Sequence, residues 1–123
     1  GEVPDEPGFA RGVAVGLAAE AGCGGSLARL FSTRALVLAG ELGGGAVASY
    51  LSGLLIGCEL REAAALVAPE APVLLVGEPA LTARYARALE LAGRPYAVAA
   101  PDAAARGQHR LAALAGLLGE TRP

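Results

Sequence analysis

Apolar side chains recur at helical spacing through the first half of the chain and gather into short continuous runs in the second half. Phe9, Val13 and Leu17 fall four apart and predict a helix from Phe9 to Ala21, stopped near Gly22. Gly24-Gly25 breaks the pattern, Ser26 offers an N-cap, and a second helix is expected through Leu30 and Phe31 to Leu38, closed by Gly40. After Gly43-Gly44-Gly45, the most flexible point of the chain, the stretch from Ala46 to about Val67 predicts a third helix roughly 30 Å long. Leu51, Leu54, Leu55 and Cys58 would fill its core side. Ser49, Gly53 and Gly57 recur every four residues and leave a shallow stripe on which another element can lie close.

Pro69 and Pro72 end that helix, and Val73-Leu74-Leu75-Val76 has the continuous apolar character of a strand buried on both faces. Gly77-Glu78-Pro79 forms a turn into a helix over Ala80–Ala92, with Leu81, Tyr85, Ala88 and Leu89 inward, Arg84, Arg87 and Glu90 outward, and Gly93 at C′. Tyr96 to Ala100 predicts a second strand, and Pro101-Asp102 opens a last helix to about Leu118 with Asp102 as its cap. The expected fold class is α/β: three helices followed by a β-α-β-α unit with parallel strands and a right-handed crossover. Residues 1–8, rich in proline and acidic groups, read as a polar linker, and residues 9–123 as one domain.

Composition narrows the picture. A chain of 123 residues can bury a core but is short for a two-lobed protein with a cleft. It is 54% hydrophobic with only 4% aromatic, so alanine, leucine and valine carry the apolar content. That surplus predicts apolar surface reserved for another domain or subunit, a homo-oligomer included. A net charge of −2 with scattered arginines is no footprint for nucleic acid or an anionic membrane. The most apolar run, Val47 to Leu60, is broken by Ser49, Ser52, Gly53 and Gly57 and is too short to span a bilayer. Cys23 and Cys58 lack metal or redox spacing, and no charged segment followed by an apolar stretch opens the chain, so reduced thiols in the cytoplasm are expected.

Candidate chemistry centres on the strand-turn-helix at Val73–Leu89. Gly77 lets the chain turn at the carboxyl end of a strand, and the next helix aims free N–H groups and a positive dipole end at the same place. Glu78 complements that dipole but would repel a triphosphate, so the turn suits the uncharged end of a ligand, or no ligand at all, as a plain structural turn. Asp5 and Asp102 are the only aspartates. One falls in the linker and the other at an N-cap position, leaving no carboxylate base or magnesium ligand for phosphoryl transfer. Glu59 and Glu62 share a helix with Arg61 and read as solvated. His109 has no cysteine or aspartate beside it and reads as a surface imidazole, and no serine sits in a nucleophile elbow. No catalytic or metal-binding residue is assigned.

The wording of the sequence adds a resemblance. Tyr50-Leu51-Ser52-Gly53-Leu54-Leu55-Ile56-Gly57, followed by Glu59-Leu60, resembles the central helix signature of the 2-dehydro-3-deoxygalactonokinases. Leu30-Phe31-Ser32-Thr33-Arg34 is similar to that family's Leu-Phe-x-Val-Arg segment, with Thr33 where valine is common. Val76-Gly77 through Leu81-Thr82-Ala83-Arg84-Tyr85 is similar to its nucleotide-side loop and helix. Phe9-Ala10-Arg11-Gly12 and Asp102-Ala103 with Gly107 extend the likeness over about Phe9 to Ala113, while Gly43-Gly44-Gly45 replaces a less flexible stretch.

The resemblance implies the carboxy-terminal lobe portion of an actin-like ATPase (sugar kinase) fold, with the amino-terminal lobe absent. It further implies ATP, with Mg2+ in the full-length enzyme, as phosphoryl donor to 2-dehydro-3-deoxy-D-galactonate, a 2-keto-3-deoxy sugar acid, giving the 6-phosphate. Gly77, Glu78, Pro79 and Ala80 would border adenosine, with Tyr85 nearby; Arg34 could reach the cleft, form a structural ion pair or be solvated. This chain alone is expected to be inactive. The alternative from the residues is a non-catalytic binding or interaction module that keeps the fold.

Overall fold

The computed structural model describes residues 5–18 and 25–118. Among the described residues, five α-helices and two strands follow one another: α1 (Glu6–Ala18), α2 (Gly25–Leu38), a 3-10 turn (Gly44–Ala46), α3 (Val47–Ala64), β1 (Val73–Leu75), α4 (Pro79–Leu91), β2 (Tyr96–Val98) and α5 (Ala103–Leu114). The strands pair in parallel, Val73 opposite Tyr96 and Leu75 opposite Val98, with α4 between them in the chain. Three helices followed by a β-α-β-α unit is the predicted order. The fold is helix-rich and mixed, in keeping with the α/β class.

The α1–α3 pair is the spine. The two helices run side by side in the same direction, Gly12 of α1 lying on Tyr50 and Leu54 and Gly16 on Leu54 and Cys58. A methyl group at Gly16 would come within 2.5 Å of the Leu54 carbonyl oxygen, and one at Gly57 within 2.5 Å of that of Val13. Gly12 against the Tyr50 carbonyl and Gly53 against that of Phe9 are tighter still. The stripe predicted on α3 is therefore occupied, and a matching set of glycines on α1 occupies it. Backbones this close exchange dispersion and Cα–H···O contacts that larger residues would forbid.

Two apolar clusters flank the spine. Phe9, Val13, Ile56 and Ala88, with Leu17, Leu60 and Tyr85 against them, join it to α4. Leu42, Tyr50, Leu54 and Cys58, with Leu30 and Leu36, join it to α2. Leu51 packs against the second cluster, but Leu55, expected inward, is 52% exposed: it projects from α3 between the two faces. On α4, Ala88 and Leu89 are buried as predicted, whereas Leu81 is 50% exposed and Thr82 takes the covered position.

Boundaries shift for local reasons. Helix α1 begins at Glu6, inside the stretch read as linker, because the Asp5 side chain accepts from the Gly8 N–H at 2.6 Å and the Asp5 N–H donates to Ser49 Oγ at 2.9 Å. The predicted end of this helix at Ala19–Ala21, Gly22 and Cys23 lie outside the described residues. Ser26 is not a cap: it sits inside α2 and turns its hydroxyl toward Glu62 Oε1, 3.5 Å away. Gly40 does close α2, with a positive φ of 73° and the Glu41 N–H donating back to the Leu36 carbonyl at 2.9 Å. Helix α3 stops at Ala64, short of Val67, and Leu66 beyond it is 85% exposed, so its side chain adds little burial to reward another turn. Gly93 ends α4 as predicted, at φ 66°, and Gly116, at φ 68°, ends α5 before Leu118.

Strand β1 is not buried on both faces. Its sheet has two strands, and Leu74 is 62% exposed, with Val76 and Val98 open beside it. The continuous apolar run is real, but among the described residues only one face is covered. Helix α5 likewise buries no residue, and Leu111 and Leu114 stand in the open. On α2, Leu27, Phe31 and Leu38 form an exposed stripe, Phe31 at 81%. No described helix is long and apolar enough to cross a membrane.

Candidate functional site

Between β1 and α4 the chain leaves the sheet at Val76, passes Gly77 and enters the helix at Pro79, whose missing N–H costs nothing at the first helical position. Glu78 is the N-cap. Its backbone is extended, its carboxylate accepts from the Leu81 N–H at 3.1 Å, and its carbonyl accepts from the Thr82 N–H at 2.9 Å. The positive end of α4 is thereby already complemented by a carboxylate. Thr82 Oγ1 donates to the Pro79 carbonyl at 3.1 Å, pinning the first turn.

Two depressions of about 300 Å³ open on either side of this turn. One, of about 300 Å³, is lined by Leu74, Leu75, Val76, Gly77, Leu81, Thr82 and Tyr85. The other, of about 310 Å³, lies toward the end of β2, between Gly77, Pro79, Thr82 and Ala83 on one side and Val98, Ala99 and Pro101 on the other. Gly77 borders both, Tyr85 the first and Pro79 the second, whereas Glu78 and Ala80 line neither. Gly77 does not have a positive φ, and a Cβ there would meet only Thr82 Cγ2, at 3.6 Å, so the turn itself does not demand glycine. Thr82, common to both depressions, was not singled out by sequence reasoning. Its signal was a buried-capable hydroxyl residue four positions after the capping glutamate in an alanine-rich helix.

Tyr85 stands two turns along α4, its ring against the Phe9–Ala88 cluster and its hydroxyl donating to Glu59 Oε2 of α3 in a short hydrogen bond. That bond, then partial burial and the charge of Glu59, push the phenol up to about 12. Glu59, expected to be merely solvated, thus has a defined partner on a neighbouring helix. Glu62 pairs with Arg61 at 3.1 Å, and Arg61 also donates to the Gly16 carbonyl at 2.9 Å, holding the end of α1.

The other polar residues stay apart. Asp102 occupies the N-cap position of α5 without a side-chain cap bond, and its carboxylate lies 3.6 Å from Arg106 Nε instead. Its backbone, at φ −91° and ψ 2°, is not the extended conformation that aims a capping oxygen at the helix N–H groups. Asp5 caps α1. His109 and Arg34 are exposed, and Arg34 has no ion-pair partner among the described residues. No three His, Cys, Asp or Glu side chains among the described residues gather as a metal site.

A family profile described as 2-keto-3-deoxy-galactonokinase matches residues 1–111. The chain belongs to that family. Compared with curated proteins one at a time, it has no match. Membership in the 2-keto-3-deoxy-galactonokinase family makes this a sugar-kinase chain, a transferase type for which ATP, ordinarily with Mg2+, and a sugar are the partners. The two depressions beside Gly77 are lined mainly by apolar side chains and by no charged one. The described residues do not fit the phosphate end of a nucleotide: Glu78 already caps α4, and no cluster of acidic ligands stands ready for a magnesium ion.

Proposed function

We propose that this chain supplies the adenosine side of a 2-dehydro-3-deoxygalactonokinase, in a carboxy-terminal lobe of the actin-like ATPase type spanning residues 9–123. The whole enzyme would transfer the ATP γ-phosphate to 2-dehydro-3-deoxy-D-galactonate in the cytoplasm. Gly77, Pro79 and Tyr85, which line the depressions, border the adenosine, with Glu78 and Ala80 beside them in the same turn but outside both linings, while the groups that bind Mg2+ and the sugar acid lie on an amino-terminal lobe outside this chain. The observation that carries this reading is the pair of apolar depressions meeting at Gly77, at the carboxyl end of a parallel strand, in a chain of this kinase family.

The chemistry of the turn supports the division of labour. A carboxylate that fills the α4 terminus disfavours a triphosphate there but leaves an uncharged purine and ribose undisturbed. Adenosine, AMP and ATP titrated into the chain by calorimetry or ligand-observed NMR should bind weakly, with no gain from added phosphates. ATP binding at least tenfold tighter than adenosine would overturn the assignment of this turn to the nucleoside end. Phosphorylation of the sugar acid by the chain alone would overturn the division into lobes.

The exposed stripe of Leu27, Phe31 and Leu38 and the open face of β1 favour a second reading, a non-catalytic interaction module. It predicts self-association or partner binding with no nucleoside affinity. Sedimentation alongside the adenosine titration separates the two.

A further inference from the structure

The hydrogen bond between Tyr85 and Glu59 is the contact whose chemistry the proposed function has not used. Glu59 lies exposed on α3 and has no ion-pair partner among the described residues. In a chain whose cations are nearly all arginine, an exposed carboxylate that accepts from a phenol instead of pairing with a guanidinium is directed at that phenol. Tyr85 in turn divides two environments. Its ring packs on the core cluster of Phe9, Val13, Ile56 and Ala88, and it also lines the depression with Leu74, Val76 and Leu81. The only hydroxyl side chain besides it in that lining, Thr82, is engaged with the Pro79 carbonyl. What remains for a ligand is apolar surface and the part of the half-buried Tyr85 side chain that the core leaves uncovered.

Such a surface recognises a flat ring, because an offset-stacked aromatic pair gains beyond its buried area only when both planes are held. A tyrosine tied at its hydroxyl has less side-chain freedom to lose when a ligand arrives, which raises affinity by preorganisation.

We propose that Glu59 is a positioning residue, fixing the Tyr85 phenol so that its ring forms the rigid wall on which a planar heterocycle stacks. The proposal rests on the reading that this depression receives adenosine, and names the residue that makes it receptive. Glu59 acts on the ligand only through Tyr85. The chemical class it selects is a neutral, planar aromatic ring; a saturated ring or a free phosphate gains nothing from it.

The test is a set of variants titrated with adenosine and with indole, a planar ring that is no nucleoside, after far-UV circular dichroism shows that each keeps its helices. Glu59→Ala should weaken adenosine about fivefold, the change expected when binding must immobilise one more side chain. Glu59→Gln, which still offers an acceptor oxygen, should stay within about twofold of the parent chain. Tyr85→Phe should match Glu59→Ala, and the double variant should be no weaker than either single change, since both remove one interaction. In Glu59→Ala the Tyr85 phenolate band near 295 nm should appear at lower pH than in the parent chain, a readout of the bond itself. If Glu59→Ala binds adenosine as tightly as the parent chain, the positioning role is wrong and the adenosine reading stands. If indole binds with the predicted dependence on Glu59 and adenosine does not bind, the positioning role stands and the adenosine reading falls. If neither ring binds saturably, both are wrong.

Discussion

Gly53 of α3 lies against the carbonyl oxygen of Phe9 in α1 with no room for a methyl group between them. In an ordinary helix interior, alanine is more stable than glycine by roughly 0.5–1 kcal/mol. Here the sign inverts, because the added Cβ meets backbone, which cannot rotate away. Gly53→Ala should destabilise the chain by about 3 kcal/mol, at the upper end of overpacking costs. Gly107→Ala, in α5 with nothing within 4 Å, should stabilise it by up to about 1 kcal/mol. Urea unfolding of both variants, followed at 222 nm, checks the contrast.

That contrast also explains what the sequence could and could not disclose. Ser49, Gly53 and Gly57 announced a close-packed stripe through their spacing alone, and two glycines of the Tyr50–Gly57 signature are accounted for by helix packing. The partner was harder to see, since nothing local to Gly12 and Gly16 of α1 says which helix they meet. Glu59 and Tyr85 are 26 residues apart, on different helices, so no local period links them. The run at Val73–Val76 read as doubly buried because its apolar content is continuous, yet burial depends on what covers a strand, which its own residues do not state. Asp102 failed as a cap for a conformational reason: the residue type suited the position and the backbone did not.

The Tyr85–Glu59 bond makes a prediction in pH. The phenol is pushed up to about 12 from 10.0, first by its hydrogen bond to Glu59, then by burial and by the negative charge of Glu59. A folded-state value above the unfolded one means that folding favours the protonated phenol. This contribution is complete below pH 10 and is lost as pH rises from 10 to about 12. Urea midpoints measured across that window should fall more steeply in the parent chain than in Tyr85→Phe. Tyr96, raised by its bond to Glu90, titrates in the same direction, so the comparison is repeated in a Tyr96→Phe background.

Glu78 joins stability to selectivity. Its carboxylate satisfies the Leu81 N–H at the start of α4, so Glu78→Ala should cost about 1 kcal/mol, the usual loss for a helix cap. The same change uncovers the positive end of the helix. The ratio of AMP to adenosine affinity should therefore rise, and added salt should reverse the rise. An unchanged ratio at low ionic strength would show that Glu78 does not screen phosphate from the turn.

Gly77→Ala separates the needs of the fold from those of the ligand. The residue has no positive φ, and a methyl group there would touch only Thr82 Cγ2 at 3.6 Å, an ordinary van der Waals separation. Unfolding free energy should therefore change by less than about 0.5 kcal/mol, or rise slightly through the loss of unfolded-state freedom. Both depressions have Gly77 and Thr82 in their walls, so a methyl group added at Gly77, against Thr82 Cγ2, takes up space beside them. Adenosine affinity should drop by about tenfold, the effect of losing roughly 1.4 kcal/mol of contact. A stable variant that binds adenosine as the parent does would place the nucleoside away from this turn, whereas a stable variant that does not bind assigns to the ligand the glycine that the backbone itself does not need.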